Sequence, residues 1–129
     1  MKDKNLFRQS VETHNLDQLM STFTEDAIVN SPVSFKPFKG KLAIRQVLTI
    51  VLDVLKDFHY IDQLDSENNS RALIFSAQVG DRNIQGLDHL KFNDAGFVQE
   101  LTVMVRPRSG VEALRNAVGP RLPIAQDDV

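Results

Sequence analysis

The sequence predicts an α+β domain in which helices come first and cover one face of an antiparallel sheet. Three observations indicate this class. Apolar residues follow helical spacing up to about Lys56, the period changes to strand-like alternation after Asp57, and short polar turns then separate four alternating runs. The 129 residues include no cysteine, which suits a single domain, 1–129, with a core that needs no disulfide.

The first half of the chain is predicted to be mainly helical. Apolar spacing over 6–23 is interrupted at His14-Asn15, so we expect two short helices, the second capped by Asn15. A short strand is expected at 27–29. The prolines of segment 31–37 block both helix and strand pairing and make it an irregular loop. The next apolar periodicity predicts a long helix over 41–56.

The second half is predicted to be a meander of four strands followed by a short helix. Because hairpin turns join consecutive strands, the strands should pair antiparallel. Ser109 and Glu112 form a capping box for the helix, which Gly119 ends. The tail 120–129 has no core pattern, and we expect it to be mobile. The strands are expected at 58–65, 71–79, 83–92 and 97–106.

Asp88 stands where the buried face of a strand should be apolar. Strict alternation puts it on the same face as Ile84, Leu90 and Phe92. Burial disfavours the charged carboxylate, so an Asp in that position must be paired, hydrogen-bonded or protonated. Two interpretations stay open: a structural role, in which Asp88 caps a loop or pairs with a buried arginine, and a neutral acid that donates a hydrogen bond to a ligand.

Two segments resemble a known protein family. The run Phe23–Val33, followed by Gly40 and Ala43-Ile44-Arg45, resembles the front half of ketosteroid isomerases and of the wider SnoaL-like group. The run Leu87–Gly96 is similar to the Asp-His-Phe-x-Phe-Asn strand and turn of the same proteins. The resemblance implies the nuclear transport factor 2-like (NTF2-like), cystatin-like fold. That fold is a conical barrel in which three N-terminal helices pack on a strongly bent antiparallel sheet around a pocket.

The resemblance also assigns three catalytic roles, and two of them are vacant in this chain. Asp88 matches the protonated aspartate of the family. Ser31 stands where the family has its general-base aspartate, and Phe7 stands where it has the tyrosine that stabilises the oxyanion. Each such group typically contributes about 10²–10⁴-fold in rate. We therefore expect no ketosteroid isomerisation.

The expected function is that of a SnoaL-like protein that encloses a small, mostly apolar molecule and contacts it through Asp88. Cofactor-free acid–base chemistry of the isomerase, cyclase or hydratase type would suit that pocket, with Ser31 and His14 as further polar partners. The alternative is a non-catalytic ligand-binding or dimerisation module, so whether the chain is an enzyme stays open. The pocket wall is expected to include Phe7, Val33, Phe35, Val47, Leu101 and Val103.

His14 and the outer face of the sheet complete the candidate sites. His14 follows Phe7 by two helical turns, so it would face the pocket mouth as a replacement base; a cap or surface role is the alternative. The outer face mixes apolar and polar groups, which suits a homodimer interface. Its residues are expected to be Leu87, His89, Thr102, Met104 and Arg106.

Composition excludes several classes of function. With 15 basic and 17 acidic residues, the chain lacks the basic excess of a nucleic-acid binder. The N-terminal stretch is too polar for a signal peptide, and no apolar run reaches the roughly 18 residues of a membrane span. We therefore expect a soluble, cytoplasmic protein that binds no membrane.

The three histidines show no metal-ligand spacing and the glycines form no nucleotide-binding motif, so no metal and no cofactor are expected.

Overall fold

The computed structural model describes residues 1–123 and has the predicted α+β class. Its six strands form a curved, unclosed sheet in the order β2-β1-β6-β5-β4-β3. The long helix and the four meander strands lie within two residues of their predicted bounds. In chain order the elements are α1 Leu6–Glu12, α2 Leu16–Met20, β1 Phe23–Asn30, β2 Phe38–Lys39, α3 Lys41–Val54, β3 Lys56–Asp65, β4 Ser70–Val79, β5 Arg82–Phe92, β6 Val98–Arg106 and α4 Arg108–Val118.

The two short helices at the N-terminus confirm the predicted break. The Asn15 side chain accepts a hydrogen bond from the backbone N–H of Gln18 at 3.1 Å and so caps α2. However, α1 already ends at Glu12, and His14 lies in the connecting turn with a left-handed backbone, φ 54°. The expectation that His14 continues the helical face of Phe7 is therefore wrong.

Strand β1 differs from the prediction in length and in pairing. It spans Phe23–Asn30 rather than 27–29 alone. The polar Glu25 and Asp26, which interrupt the apolar pattern of the sequence, are exposed at an irregularity within the strand. The register of β1 against β6 shifts between Phe23 and Ile28, which accommodates these two residues. The β1–β6 pair is parallel, whereas every other pair is antiparallel. The antiparallel pairing predicted for the four meander strands is confirmed, and β1, for which no partner was predicted, adds one parallel pair to the sheet.

Helix α4 begins one residue before its predicted cap. Pro107 is extended and the helix starts at Arg108, so Ser109 is already helical and no side chain caps the N-terminus. Glu112 pairs instead with Arg108, at 3.3 Å across one turn. The predicted capping box is therefore wrong. Gly119 ends the helix as expected, and a short 3₁₀ turn follows.

The core lies between one face of the sheet and the buried faces of the helices. After α4, Arg121 pairs with Asp53 of α3 at 2.7 Å and Leu122 packs against the core, so the first residues of the predicted tail contact the domain. The remainder of that tail, 124–129, lies outside the described residues. No helix in the described part of the chain is both long and apolar enough to cross a membrane.

Candidate functional site

Asp88 lies on the buried face of β5, as the alternation predicts. Residues on the opposite face are half-buried or exposed, whereas only 8% of the Asp88 surface is accessible. The buried set of the strand is Ile84, Gly86, Asp88, Leu90 and Phe92. A carboxyl group therefore sits in an otherwise apolar row.

The neighbours of Asp88 on the adjacent strands are apolar. The register puts Leu73 of β4 directly beside it on one side and Val103 of β6 on the other. None of the ion pairs between described residues involves Asp88. Burial among these groups raises the pKa of Asp88 to about 7, and a hydrogen bond from Tyr60 acts in the opposite direction. The carboxyl group can thus remain a neutral acid near neutral pH.

Tyr60 is the hydrogen-bond partner of Asp88. Its hydroxyl donates to Oδ2 of Asp88 at 2.7 Å, and both side chains are buried. The second oxygen of Asp88, Oδ1, has no hydrogen-bond partner among residues 1–123. Burial, together with the nearby Asp88 carboxyl, raises the pKa of Tyr60 well above its ordinary value, so its hydroxyl stays protonated. One oxygen of the acid is held and the other is left for a different partner.

Local sequence features bring Tyr60 to Asp88 across the intervening strand. Tyr60 pairs with Phe75 of β4, which in turn pairs with Gly86 of β5. The ring of Phe75 occupies the space of a side chain at Gly86, because a Cβ there would lie 2.1 Å from Cζ of Phe75. Phe58 stacks on Phe75 at 4.8 Å and meets Tyr60 edge-on at 4.9 Å. This packing fixes the phenol ring of Tyr60.

Three of the predicted site residues line one surface cleft of about 640 Å³, here called the Ser31 cleft. Ser31 Oγ accepts hydrogen bonds from the backbone N–H groups of Val33 and Ser34, at 3.3 and 3.2 Å, and so holds the loop. Val103 forms part of the wall and Phe35 is fully exposed at the rim. The lining residues are Asn30, Ser31, Pro32, Ser34, Phe35, Pro37, Glu100, Thr102, Val103, Met104 and Val105.

The other predicted site residues lie elsewhere. His14 is exposed and lines a second cleft of about 490 Å³ with Phe58. Phe7, Val47 and Leu101 are buried core residues and line neither cleft. Asp88 lines neither of them, although its cross-strand neighbour Val103 belongs to the Ser31 cleft. The structure therefore brings Ser31, Phe35 and Val103 together, leaves Asp88 one strand away, and separates His14 from Ser31.

Tyr60, the hydrogen-bond partner of Asp88, was not among the site residues that the sequence predicted. Its cluster of aromatic residues resembled ordinary core, and nothing in the spacing linked β3 to β5 across an intermediate strand. Two signals pointed to it: it is the one tyrosine of the chain, and a buried phenol usually has a hydrogen-bond partner. No group of three metal-ligating side chains occurs within 1–123.

Solved structures resemble this chain, whereas no protein-family model and no curated protein matches it. A steroid delta-isomerase from Pseudomonas aeruginosa is 38% identical, with a TM-score of 0.85 over 90% of this chain and 85% of that chain. An uncharacterized protein with a cystatin-like fold from Silicibacter pomeroyi DSS-3 is 28% identical, with a TM-score of 0.84 over 90% of this chain and 82% of that chain.

A more distant structure is that of SalBIII, an epoxide hydrolase/cyclase-like enzyme with a role in pyran ring formation in the polyether salinomycin. It is 17% identical, with a TM-score of 0.67 over 82% of this chain and 88% of that chain, and this likeness shows the fold alone. The similarity to the steroid delta-isomerase extends over most of both chains. It confirms the family indicated by the runs Phe23–Val33 and Leu87–Gly96. The chain belongs to the SnoaL-like, ketosteroid isomerase-like family of the NTF2-like superfamily.

Proposed function

We propose that this protein binds a small, mostly apolar molecule whose neutral oxygen accepts a hydrogen bond from Asp88. One observation supports this function: Asp88 is a buried acid with an apolar neighbour on each adjacent strand and one oxygen without a hydrogen-bond partner among residues 1–123. Neither structural role considered for Asp88 fits, because the residue lies within β5 rather than at a loop and none of the ion pairs within 1–123 involves it.

The protonation state of Asp88 gives the site its chemistry. Near neutral pH a large fraction of the group carries its proton, because burial raises its pKa to about 7. Oδ2 already accepts the hydroxyl of Tyr60, so the acid proton belongs on Oδ1. A ligand oxygen near Oδ1 would receive that hydrogen bond. Cofactor-free acid–base chemistry of the isomerase, cyclase or hydratase type is the reaction class that such a donor supports.

Ketosteroid isomerisation is not the proposed reaction, despite the 38% identity to a steroid delta-isomerase. The hydroxyl of Ser31 is an acceptor for two backbone N–H groups and has no base to activate it among its hydrogen-bond partners. Phe7 has no donor and is buried in the core. We expect conversion of a β,γ-unsaturated ketosteroid at the background rate, and an enzymatic rate well above background would contradict this part of the proposal.

The alternative function is a non-catalytic ligand-binding or dimerisation module. The vacant roles of Ser31 and Phe7 favour it, since they leave Asp88 with no partner that could complete a proton transfer. The fold itself does not decide between a binding protein and an enzyme. A ligand-binding module and an enzyme would both contact the ligand through Asp88, whereas a dimerisation module would not, so a binding experiment tests this contact first.

The binding experiment compares a bicyclic ketone, a decalone, with its parent hydrocarbon decalin by saturation-transfer NMR. At about pH 6 we expect the decalone to bind about fivefold to tenfold more tightly than decalin, which is the worth of one hydrogen bond. Asp88→Asn keeps a donor and should retain this preference, whereas Asp88→Leu should lose it. Equal binding of the two molecules to the parent protein would overturn the proposal.

A further inference from the structure

We propose that Tyr60 is the positioning residue of Asp88: its hydroxyl occupies Oδ2 and thereby directs Oδ1, with its proton, toward the ligand. The inference rests on the proposed function, in which Asp88 is the ligand contact. It assigns the second member of that site, on β3, where the resemblance to the family indicates no functional residue.

The geometry of the pair determines which oxygen of Asp88 the hydroxyl of Tyr60 contacts. The Tyr60 hydroxyl lies 2.7 Å from Oδ2 of Asp88, the usual length of a hydrogen bond from a hydroxyl to an oxygen. The phenol ring is held on three sides: edge-on by Phe58 at 4.9 Å, edge-on by Phe75 at 6.4 Å, and by the guanidinium of Arg8 at 5.4 Å from its centre. A hydroxyl on a ring fixed in this way can select one of two equivalent oxygens.

The two oxygens of a protonated Asp88 have different chemistry. A carboxylic acid has one oxygen that carries the proton and one that only accepts. Because the hydroxyl of Tyr60 donates to Oδ2, Oδ2 is the accepting oxygen and the proton is placed on Oδ1. Without Tyr60, no hydrogen bond from the described residues would distinguish the two oxygens, and part of the acid groups would present the accepting oxygen to the ligand instead of the donor.

Tyr60 lies on a different element from the position at which the resemblance implies a tyrosine. Phe7 on α1 stands where the resemblance places a tyrosine, and its ring is used for an edge-on contact with Phe23 at 6.0 Å. The one tyrosine of the chain has its hydroxyl on Asp88 from a different element, β3. The hydroxyl of Tyr60 therefore contacts Asp88 itself and does not occupy the position from which the family's tyrosine contacts its ligand.

The groups that act on this pair are few. Besides Asp88, two charged groups of α1 shift the pKa of Tyr60: Glu12 raises it and Arg8 lowers it. Among residues 1–123, burial and the hydrogen bond from Tyr60 are the causes that shift the pKa of Asp88. The neighbouring His89 lies on the opposite face of β5 and does not contribute. A change of tyrosine signal with the protonation of Asp88 can thus be attributed to their shared hydrogen bond.

Tyr60 is a specific spectroscopic probe, because the chain has one tyrosine and no tryptophan. A carboxylate is a stronger acceptor than a neutral acid, so ionisation of Asp88 should quench tyrosine fluorescence. In the parent protein we expect a fluorescence change with its midpoint at about pH 7. In Asp88→Asn, which keeps the three histidines, this change should vanish. An unchanged midpoint in Asp88→Asn, or no midpoint in the parent, would overturn the proposal.

The reciprocal measurement follows Asp88 by carboxyl-carbon NMR in Tyr60→Phe. Loss of the hydroxyl should raise the pKa of Asp88 by about one pH unit, because a bond that favours the carboxylate is gone. The matched control is Thr22→Val, which removes another buried hydroxyl, bonded to the Leu19 carbonyl at 2.6 Å, and should leave that pKa unchanged. An unchanged pKa in Tyr60→Phe would show that Tyr60 is merely structural.

These measurements separate the two proposals. If the decalone fails to bind while the tyrosine signal follows Asp88, the ligand assignment fails and the pairing stands. If the decalone binds but the signal does not follow Asp88, the role of Tyr60 is overturned alone. Should Tyr60→Phe fail to fold, the comparison of the parent with Asp88→Asn still decides the matter.

Discussion

At the scale of single residues, Asp88 shows that the protein retains a group that weakens its fold. An apolar residue of similar size would pack between Leu73 and Val103 without the desolvation cost of a carboxyl group. The hydrogen bond from Tyr60 offsets part of that cost. A buried ionisable group with a raised pKa is typical of functional sites, which is why the burial of Asp88 favours a ligand contact over a structural role.

The first prediction concerns the pH dependence of stability. The pKa of Asp88 is about 7 in the folded protein and near 3.8 in the unfolded chain. Below about pH 4 the group is protonated in both states, so its contribution to the free energy of unfolding is fully present there. It is lost progressively as the pH rises to about 7, by about 4 kcal/mol in total. Asp88→Asn cannot ionise, and its amide oxygen can still accept the hydroxyl of Tyr60.

Thermal unfolding of both proteins from about pH 5 to pH 9 measures this difference. We expect Asp88→Asn to be at least as stable as the parent at neutral and alkaline pH, with a smaller loss of stability as the pH rises. A marked loss of stability in Asp88→Asn at about pH 8 would identify Asp88 as an ionised structural partner. The ligand-facing role would then be abandoned.

The second prediction assigns Ser31 a structural role in its loop. Ser31→Ala removes the acceptor of the N–H groups of Val33 and Ser34, and these bonds are long at 3.3 and 3.2 Å. We expect Ser31→Ala to lower the free energy of unfolding by about 0.5 kcal/mol in urea titration. Ser31→Asp restores an acceptor and should be nearly as stable as the parent. A change in decalone binding in Ser31→Ala would instead place Ser31 in the ligand site.

At the scale of elements, local alternation predicted each meander strand, while contacts between strands escaped it. The two faces of β5 could be predicted from the sequence, because buried residues alternate with half-buried or exposed ones from the second residue of the strand to its end. Tyr60 could not be matched to Asp88, because the register of β3 against β4 shifts just after Tyr60. The shift interrupts the alternation of inward-facing and outward-facing residues along β3, and a single sequence does not show where such a bulge occurs.

Only the second half of strand β1 was predicted, for a related reason. Its two exposed acidic residues, Glu25 and Asp26, have the composition of a turn, and they lie where the register against β6 shifts between Phe23 and Ile28. The positions of Ser31 and His14 depended on such tertiary detail. His14 in particular lies outside α1, because that helix ends earlier than its apolar pattern indicates.

The third prediction concerns the contact between β4 and β5 at Gly86. A Cβ at this position would lie 2.1 Å from the ring of Phe75, which is itself stacked on Phe58. We expect Gly86→Ala to lower the free energy of unfolding by about 2 kcal/mol, because the ring must move within a packed cluster. Gln85→Ala, on the exposed face of the same strand, should change it by less than about 0.5 kcal/mol.

The shift of Phe75 in Gly86→Ala should also reach Tyr60, whose ring meets it edge-on at 6.4 Å. The midpoint of the tyrosine fluorescence change with pH should therefore move in Gly86→Ala and not in Gln85→Ala. Equal stability of the two variants, within about 0.5 kcal/mol, would mean that the cluster is loosely packed. The aromatic support of Tyr60 would then have to be discarded.

At the scale of the whole molecule, the outer sheet face presents apolar and polar groups to the surroundings. The register confirms that Met104 lies opposite Leu87 and Thr102 opposite His89, as the alternation predicts. Met104 is 58% exposed and Phe35 is fully exposed nearby on the rim of the Ser31 cleft. We propose that a second copy of the chain covers this face, since an antiparallel pair with mixed apolar and polar groups suits a two-fold interface.

The fourth prediction is that the protein is a dimer which a charge on this face disrupts. Sedimentation at about ten micromolar should give a dimer for the parent, and Met104→Glu should weaken association at least about tenfold, because the carboxylate would be buried without a partner. Leu42→Glu is the matched control, since Leu42 is 75% exposed on α3 and should leave the dimer intact. A monomeric parent would remove the proposed interface. A dimer that tolerates Met104→Glu but not Leu42→Glu would place it on the helical side, where it would cover α3 instead of the sheet.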